Sequence, residues 1–113
     1  MEDCIFCKIA NGEIPSKLVY EDEAVAAFYD LTPQAPIHVL IVPKRHYADI
    51  LEAEESGAPL NQMARAAKTI ARQLGLEENG FRLVINTGAD GGQTVPHLHM
   101  HMMGGRAFGW PAG

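Results

Sequence analysis

Cysteine is scarce in this chain, with only Cys4 and Cys7, and aromatic residues make up 7%, including a single tryptophan. Two cysteines cannot build the disulfide framework of a small secreted domain, and in a reducing compartment such thiols stay free. Basic residues are also few, nine Lys and Arg against fourteen Asp and Glu, for a net charge of −5. They are scattered rather than clustered, which argues against the basic face that a nucleic acid requires. A small phosphate-bearing ligand needs only local donors and remains compatible with this balance. Long apolar runs are missing: none approaches the roughly 18 residues of a membrane span. The opening MEDCIFCK lacks the pattern of a signal peptide. With no repeat, low-complexity run or linker, the expectation is one domain over residues 1–113 in the cytoplasm, without a membrane partner.

What is present is a chain with 47% apolar residues, enough for a packed core. DCIFCKIANGEIP reads as a short helix with Asp3 as N-cap, ended by Gly12 and Pro15. Strands are expected over 17–22, 24–30 and 38–43, with a turn-rich DLTPQAP at 30–36. The clearest helix is 60–74, where Leu60, Met63, Ala64, Ala67, Ile70, Ala71 and Leu74 form one apolar stripe. Pro59 suits its first turn and Gly75 its end. A weaker helical patch lies at 47–55. Two further strands, 81–87 and 95–103, flank the glycine-rich GADGGQT at 88–94 and suggest an antiparallel pair. The fold class is therefore α+β: an antiparallel sheet of about five strands, one long helix across a face and a short N-terminal helix.

Three of the five histidines fall in VPHLHMHMMGG, at 97, 99 and 101. Side chains alternate along a strand, so these imidazoles share one face, neighbours about 6.5–7 Å apart, while Leu98, Met100 and Met102 face the core. This predicts apolar side chains inside and histidines outside. Two chemistries suit such a row. It can bind a metal, because His pairs spaced by two on a strand serve catalytic zinc. Alternatively, one neutral imidazole attacks phosphorus while its other nitrogen is held by an acceptor and its neighbours oppose protonation. The adjacent GADGGQT favours the second, since flexible glycines offer backbone N–H groups to an anion and Gln93 and Thr94 add side-chain donors. No Lys follows the glycines, so the loop is not a Walker A motif.

HLHMH followed by MMGGR resembles the His-φ-His-φ-His-φ-φ signature (φ apolar) of the histidine-triad (HIT) nucleotide-binding family. The likeness is greatest to the Hint branch of purine nucleoside phosphoramidases. It extends through IFCKI and EIP, DLTPQAP-H-L-VPK, VIN-G-DGGQT and the terminal WPAG. The resemblance implies a homodimer whose sheets join, with the tail 104–113, including Arg106, Trp110 and Pro111, reaching toward the other subunit's site.

The resemblance also assigns roles. His99 would attack the α-phosphorus of an adenosine 5′-phosphoramidate, forming a nucleotidyl-histidine that water releases as AMP. The carbonyl of His97 would orient His99, and His101 would steady a phosphate oxygen. Thr94, where many members have Ser, would serve the leaving group. Asn86, Gly92 and Gln93 correspond to phosphate contacts, and His38 to a supporting histidine. Asp30, by its context alone a turn residue, matches the ribose carboxylate. Ile5, Phe6, Ile9, Ile14, Phe28 and Leu31 align with the base pocket, although apolar residues ordinarily serve the core. Tyr29 stands where the best-known members carry His. The ligand implied is a purine nucleotide.

Cys4-Ile-Phe-Cys7 has zinc-ligand spacing but is half a site, and two small buried thiols are the plainer reading. Resemblance to bacterial members implies a structural zinc on Cys4, Cys7, His46 and His97, with no cofactor needed for catalysis. Two other functions stay open on the residues: a zinc hydrolase using the triad as ligands, and a nucleotide-binding scaffold with vestigial catalysis.

Overall fold

Alternation of apolar residues along five segments produces one antiparallel sheet. In the computed structural model, which describes residues 3–113, the strands are β1 (Leu18–Glu21), β2 (Val25–Tyr29), β3 (Ile37–Pro43), β4 (Phe81–Val84) and β5 (Met100–Gly104). Their spatial order is β1-β2-β3-β5-β4. β3 is central and buried from His38 to Pro43, because both faces are covered. Its odd-numbered Val39 and Ile41 join Met100 and Met102 under the long helix, α2 (Ala58–Gln73). Leu40 and Val42 instead pack with Ala26, Phe28 and the short helix α1 (Ile5–Ala10). The period of two thus divides one strand between two core layers.

In α2 the residues buried are Pro59, Met63, Ala66, Ala67, Ile70 and Ala71, with Leu60 and Leu74 at the margin. Three alanines on that face let the helix lie close to the sheet. The helix enters from Gly57 at φ +78°, carries Pro59 in its first turn and leaves through Gly75 at φ +71°.

Several boundaries differ from expectation. The N-cap of α1 is Cys4 rather than Asp3, its Sγ accepting from the Cys7 N–H at 3.3 Å. The 47–55 patch is only a 3-10 turn, Ile50–Glu52, because Asp49 caps it and Ala53 is already extended. Residues 95–99 lie outside the sheet ladder: His97 N–H donates to Val95 O and Leu98 N–H to Tyr47 O. β4 likewise stops at Val84. The tail folds against its own chain, with Arg82 donating to Gly109 O at 2.9 Å and Trp110 left 86% exposed. Among the described residues no helix is long and apolar enough to cross a membrane.

Candidate functional site

The alternation through residues 97–102 holds even where the ladder does not. Leu98, Met100 and Met102 are buried beneath α2, and the three histidines face the other layer. The histidines are not on a solvent face as expected. His97 is fully buried and His99 is 4% exposed, because α1 covers them, while His101 is half-buried. The Phe6 ring stands edge-on to both imidazoles, with centroids 5.1 Å from His99 and 6.0 Å from His97.

Fixed donors and acceptors of the main chain determine where each imidazole carries its proton. His99 Nδ1 lies 2.7 Å from His97 O, and a carbonyl only accepts. Nδ1 therefore bears the hydrogen, and Nε2 keeps its lone pair. No side chain bonds to that Nε2, and among the described residues no fully buried side-chain nitrogen lacks a partner, so Nε2 is accessible. His38 is set the other way: the Gln34 N–H donates to its Nδ1 at 3.0 Å, leaving Nε2–H to donate to His101 Nδ1 at 2.9 Å. His101 in turn carries its proton on Nε2. Burial lowers the His38 pKa, opposed by Asp30. Burial, with His99 and His38 adding to it, pushes His101 down to about 4. Both are neutral near pH 7.

His97 faces a different cluster. Its Nε2–H donates to Pro43 O at 2.9 Å, which leaves the Nδ1 lone pair 3.2 Å from Cys4 Sγ and 3.4 Å from Cys7 Sγ. His46 Nδ1 lies 3.3 Å from Cys7 Sγ, and all four ligand atoms fall within 4.8 Å of one another. A tetrahedral zinc with ordinary bond lengths needs ligand–ligand edges of roughly 3.3–3.8 Å, close to these separations. Burial, reinforced by Cys4, pushes the Cys7 thiol up to about 11, so it is protonated without a cation nearby. The residues fit a tetrahedral metal. Asp30, His38 and His101 form the other grouping of potential ligands among the described residues, and His99 is in neither. The triad therefore does not surround one common ion, contrary to the reading in which all three are ligands.

Beside His99 and His101 opens a cleft of about 590 Å³. It collects Ile5, Phe6, Ile9, Ile14, Phe28, Leu31, Asp30 and Thr94, residues to which the resemblance assigned the base, the ribose and the leaving group. Asp30 serves its turn as well: one carboxylate oxygen accepts the Thr32 N–H at 2.8 Å, while the other lies 3.5 Å from His38 Nε2. Sequence reasoning missed Leu40, Val95 and Lys17 as lining, while Tyr29, singled out for its place in the family pattern, is part of it. Leu40 had a usable signal, since it lies two residues from His38 on the same face of its strand. Lys17 had none.

The glycine loop does not form the expected cradle from all its members. Gly92 N–H bonds to Ala89 O and Gln93 N–H to Gly88 O, so both amides are spent inside the loop. The Gln93 side chain donates to Ala48 O at 2.7 Å and Val95 O at 3.0 Å, and accepts from the Gly88 N–H. It braces the loop. Asn86, Gly92 and Gln93 are absent from the cleft lining, whereas Thr94 is part of it.

A family profile described as HIT domain matches residues 11–108. A purine nucleoside phosphoramidase of Escherichia coli is 47% identical, with 96% of this chain and 92% of that protein covered. A 14 kDa zinc-binding protein of Brassica juncea is 48% identical over 98% of this chain and all of its own length. The crystal structure of a HIT family hydrolase from Legionella pneumophila superposes with a TM-score of 0.94 at 47% identity, covering 98% of this chain and 100% of that one.

Proposed function

This chain belongs to the HIT domain family, and on that premise we propose that it is a purine nucleoside phosphoramidase whose nucleophile is His99. The observation that carries the reading is the 2.7 Å bond from His99 Nδ1 to His97 O, which leaves Nε2 as the lone-pair nitrogen of the neutral ring, beside an apolar cleft with a carboxylate in its wall. An uncharged imidazole nitrogen is a good nucleophile toward phosphorus, and the His97 carbonyl stabilises the positive ring that forms. The name of the Escherichia coli relative supports the substrate class.

In the first step Nε2 forms a bond to the α-phosphorus as the P–N bond breaks. The amine leaves with a proton taken from solvent, for which the Thr94 hydroxyl in the cleft wall offers a path. His101 Nε2–H donates to a non-bridging oxygen. Water then attacks phosphorus and returns a proton to solvent, the bond to Nε2 breaks, and a nucleoside monophosphate leaves with His99 neutral again. Asp30 accepts from the ribose hydroxyls, and Phe6, Ile9, Ile14 and Phe28 enclose the base.

The metal assigned to Cys4, Cys7, His46 and His97 is zinc, and its role is structural. When bound, it supplies a crosslink between α1, the segment after β3 and the segment before β5. The Brassica juncea relative's name and the four-atom cluster support this. The assembly is a homodimer, supported by an edge strand that leaves Phe81 and Leu83 partly exposed and by the uncovered Trp110. Sedimentation of the pure protein at twice the chain mass is the expected result.

The decisive comparison is wild type against His99→Ala with adenosine 5′-phosphoramidate. The variant should lose at least about a thousandfold in kcat, and acid-quenched wild type should carry a nucleotidyl adduct absent from the variant. Undiminished turnover in His99→Ala would refute the covalent route.

A further inference from the structure

The chain after β5 doubles back onto the turn between β2 and β3. At Gly105, φ +89°, an added Cβ would stand 2.9 Å from Pro36 Cβ, so the crossing is one that glycine alone permits. The crossing brings Arg106 to Gln34, whose carbonyl accepts from Arg106 Nη2 at 3.0 Å. The same guanidinium lies 4.2 Å from the Phe108 ring centre, with Arg82 at 5.1 Å from that ring. Stacking of this kind restricts a guanidinium before it makes its hydrogen bond.

Gln34 is also the residue whose N–H fills His38 Nδ1. One residue thus receives a hydrogen bond from the tail at its carbonyl and gives one to the site at its amide. We propose that Arg106 is a positioning residue: by fixing the Gln34 main chain it holds His38, and through it His101, in the tautomer that presents Nε2–H to the cleft. The proposal rests on the phosphate-contacting role given to His101 above. Without the guanidinium the Gln34 backbone is free to turn, and His38 Nδ1 loses its fixed donor. His38 can then move its proton to Nδ1, and His101 would follow by presenting a lone pair to an anionic oxygen.

The test reads the tautomers directly, by long-range proton–nitrogen NMR of histidine-labelled protein, alongside phosphoramidate kinetics. In wild type both His38 and His101 should show the Nε2–H form alone. Arg106→Ala should show a mixture, with kcat lowered roughly tenfold and KM changed less than about twofold. Arg106→Lys keeps a donor for the Gln34 carbonyl and should restore most of both signals. Arg82→Ala loosens the tail at Gly109 and removes the second cation on Phe108 but leaves the Arg106–Gln34 bond, so its tautomers should stay as in wild type. Unaltered tautomers in Arg106→Ala, or equal alteration in Arg82→Ala, would overturn the proposal. The NMR needs no substrate, so a wild type inactive on phosphoramidates would refute the proposed activity while the tautomers still decide the role of Arg106.

Discussion

His97, His99 and His101 are chemically identical side chains that meet three different partners, two carbonyls and one imidazole. Pro43 O takes the Nε2 proton of His97, His97 O takes the Nδ1 proton of His99, and His38 donates to Nδ1 of His101. Their lone pairs consequently point to a thiol cluster, to the cleft and to His38. The pH dependence of stability belongs to this scale. His101 has a folded pKa of about 4 against roughly 6.5 unfolded, and His38 is shifted the same way. The unfolded chain therefore takes up these protons first, and stability rises with pH across that window. The contribution is complete above pH 6.5 and is lost as the pH falls toward 4. Urea midpoints should decline between those values, and His101→Asn should show a shallower decline than wild type. Asp30→Asn keeps the oxygen that caps Thr32 but removes the charge. Its KM should rise roughly tenfold with kcat little changed, as expected for a lost charge-assisted bond to substrate.

Among the elements, α2 and the 88–94 loop differ in how plainly their sequences specify them. The stripe from Leu60 to Leu74 repeats at three and four residues, a pattern that only a helix turns into one face, so α2 was legible. Ile70 is fully buried at the centre of that face. Ile70→Ala should destabilise by about 2–5 kcal/mol in urea titration. The loop was legible as a turn but not in its hydrogen bonds. The amides of Gly88, Gly92 and Gln93 bond within it, and the Gln93 side chain, read as a ligand contact, is occupied by Gly88, Ala48 and Val95. Gly91 shows how tightly it is wound: a Cβ there would clash with the backbone of Thr87. Gly91→Ala should destabilise by about 1–3 kcal/mol, read as a lower urea midpoint. The true ends of β4 and β5 escaped the sequence for a similar reason, since Leu98 bonds to Tyr47 across the chain rather than to a neighbouring strand.

At the scale of the whole molecule, the four candidate ligands connect segments far apart in sequence, from Cys4 in α1's cap to His97 before β5. A metal held there binds only the folded chain's arrangement and stabilises it by linkage. Protein purified with zinc should contain one equivalent, and chelation should lower Tm by several degrees, with Cys7→Ser insensitive to chelator. No metal and no shift would remove zinc from the account. Sequence by itself determined the α+β class, the five strands, the long helix and the single face shared by the three histidines, because periods of 2 and 3.6 are local properties of the backbone. It also marked most of the cleft wall, through resemblance. Resemblance also gave the His97 carbonyl as the partner of His99; only the tertiary structure decided that α1 buries His97 and His99, that Gln93 is a brace, and which nitrogen of His97 and of His101 carries the proton. Those outcomes depend on carbonyls and amides brought from distant segments, and no local pattern encodes which one a side chain will meet.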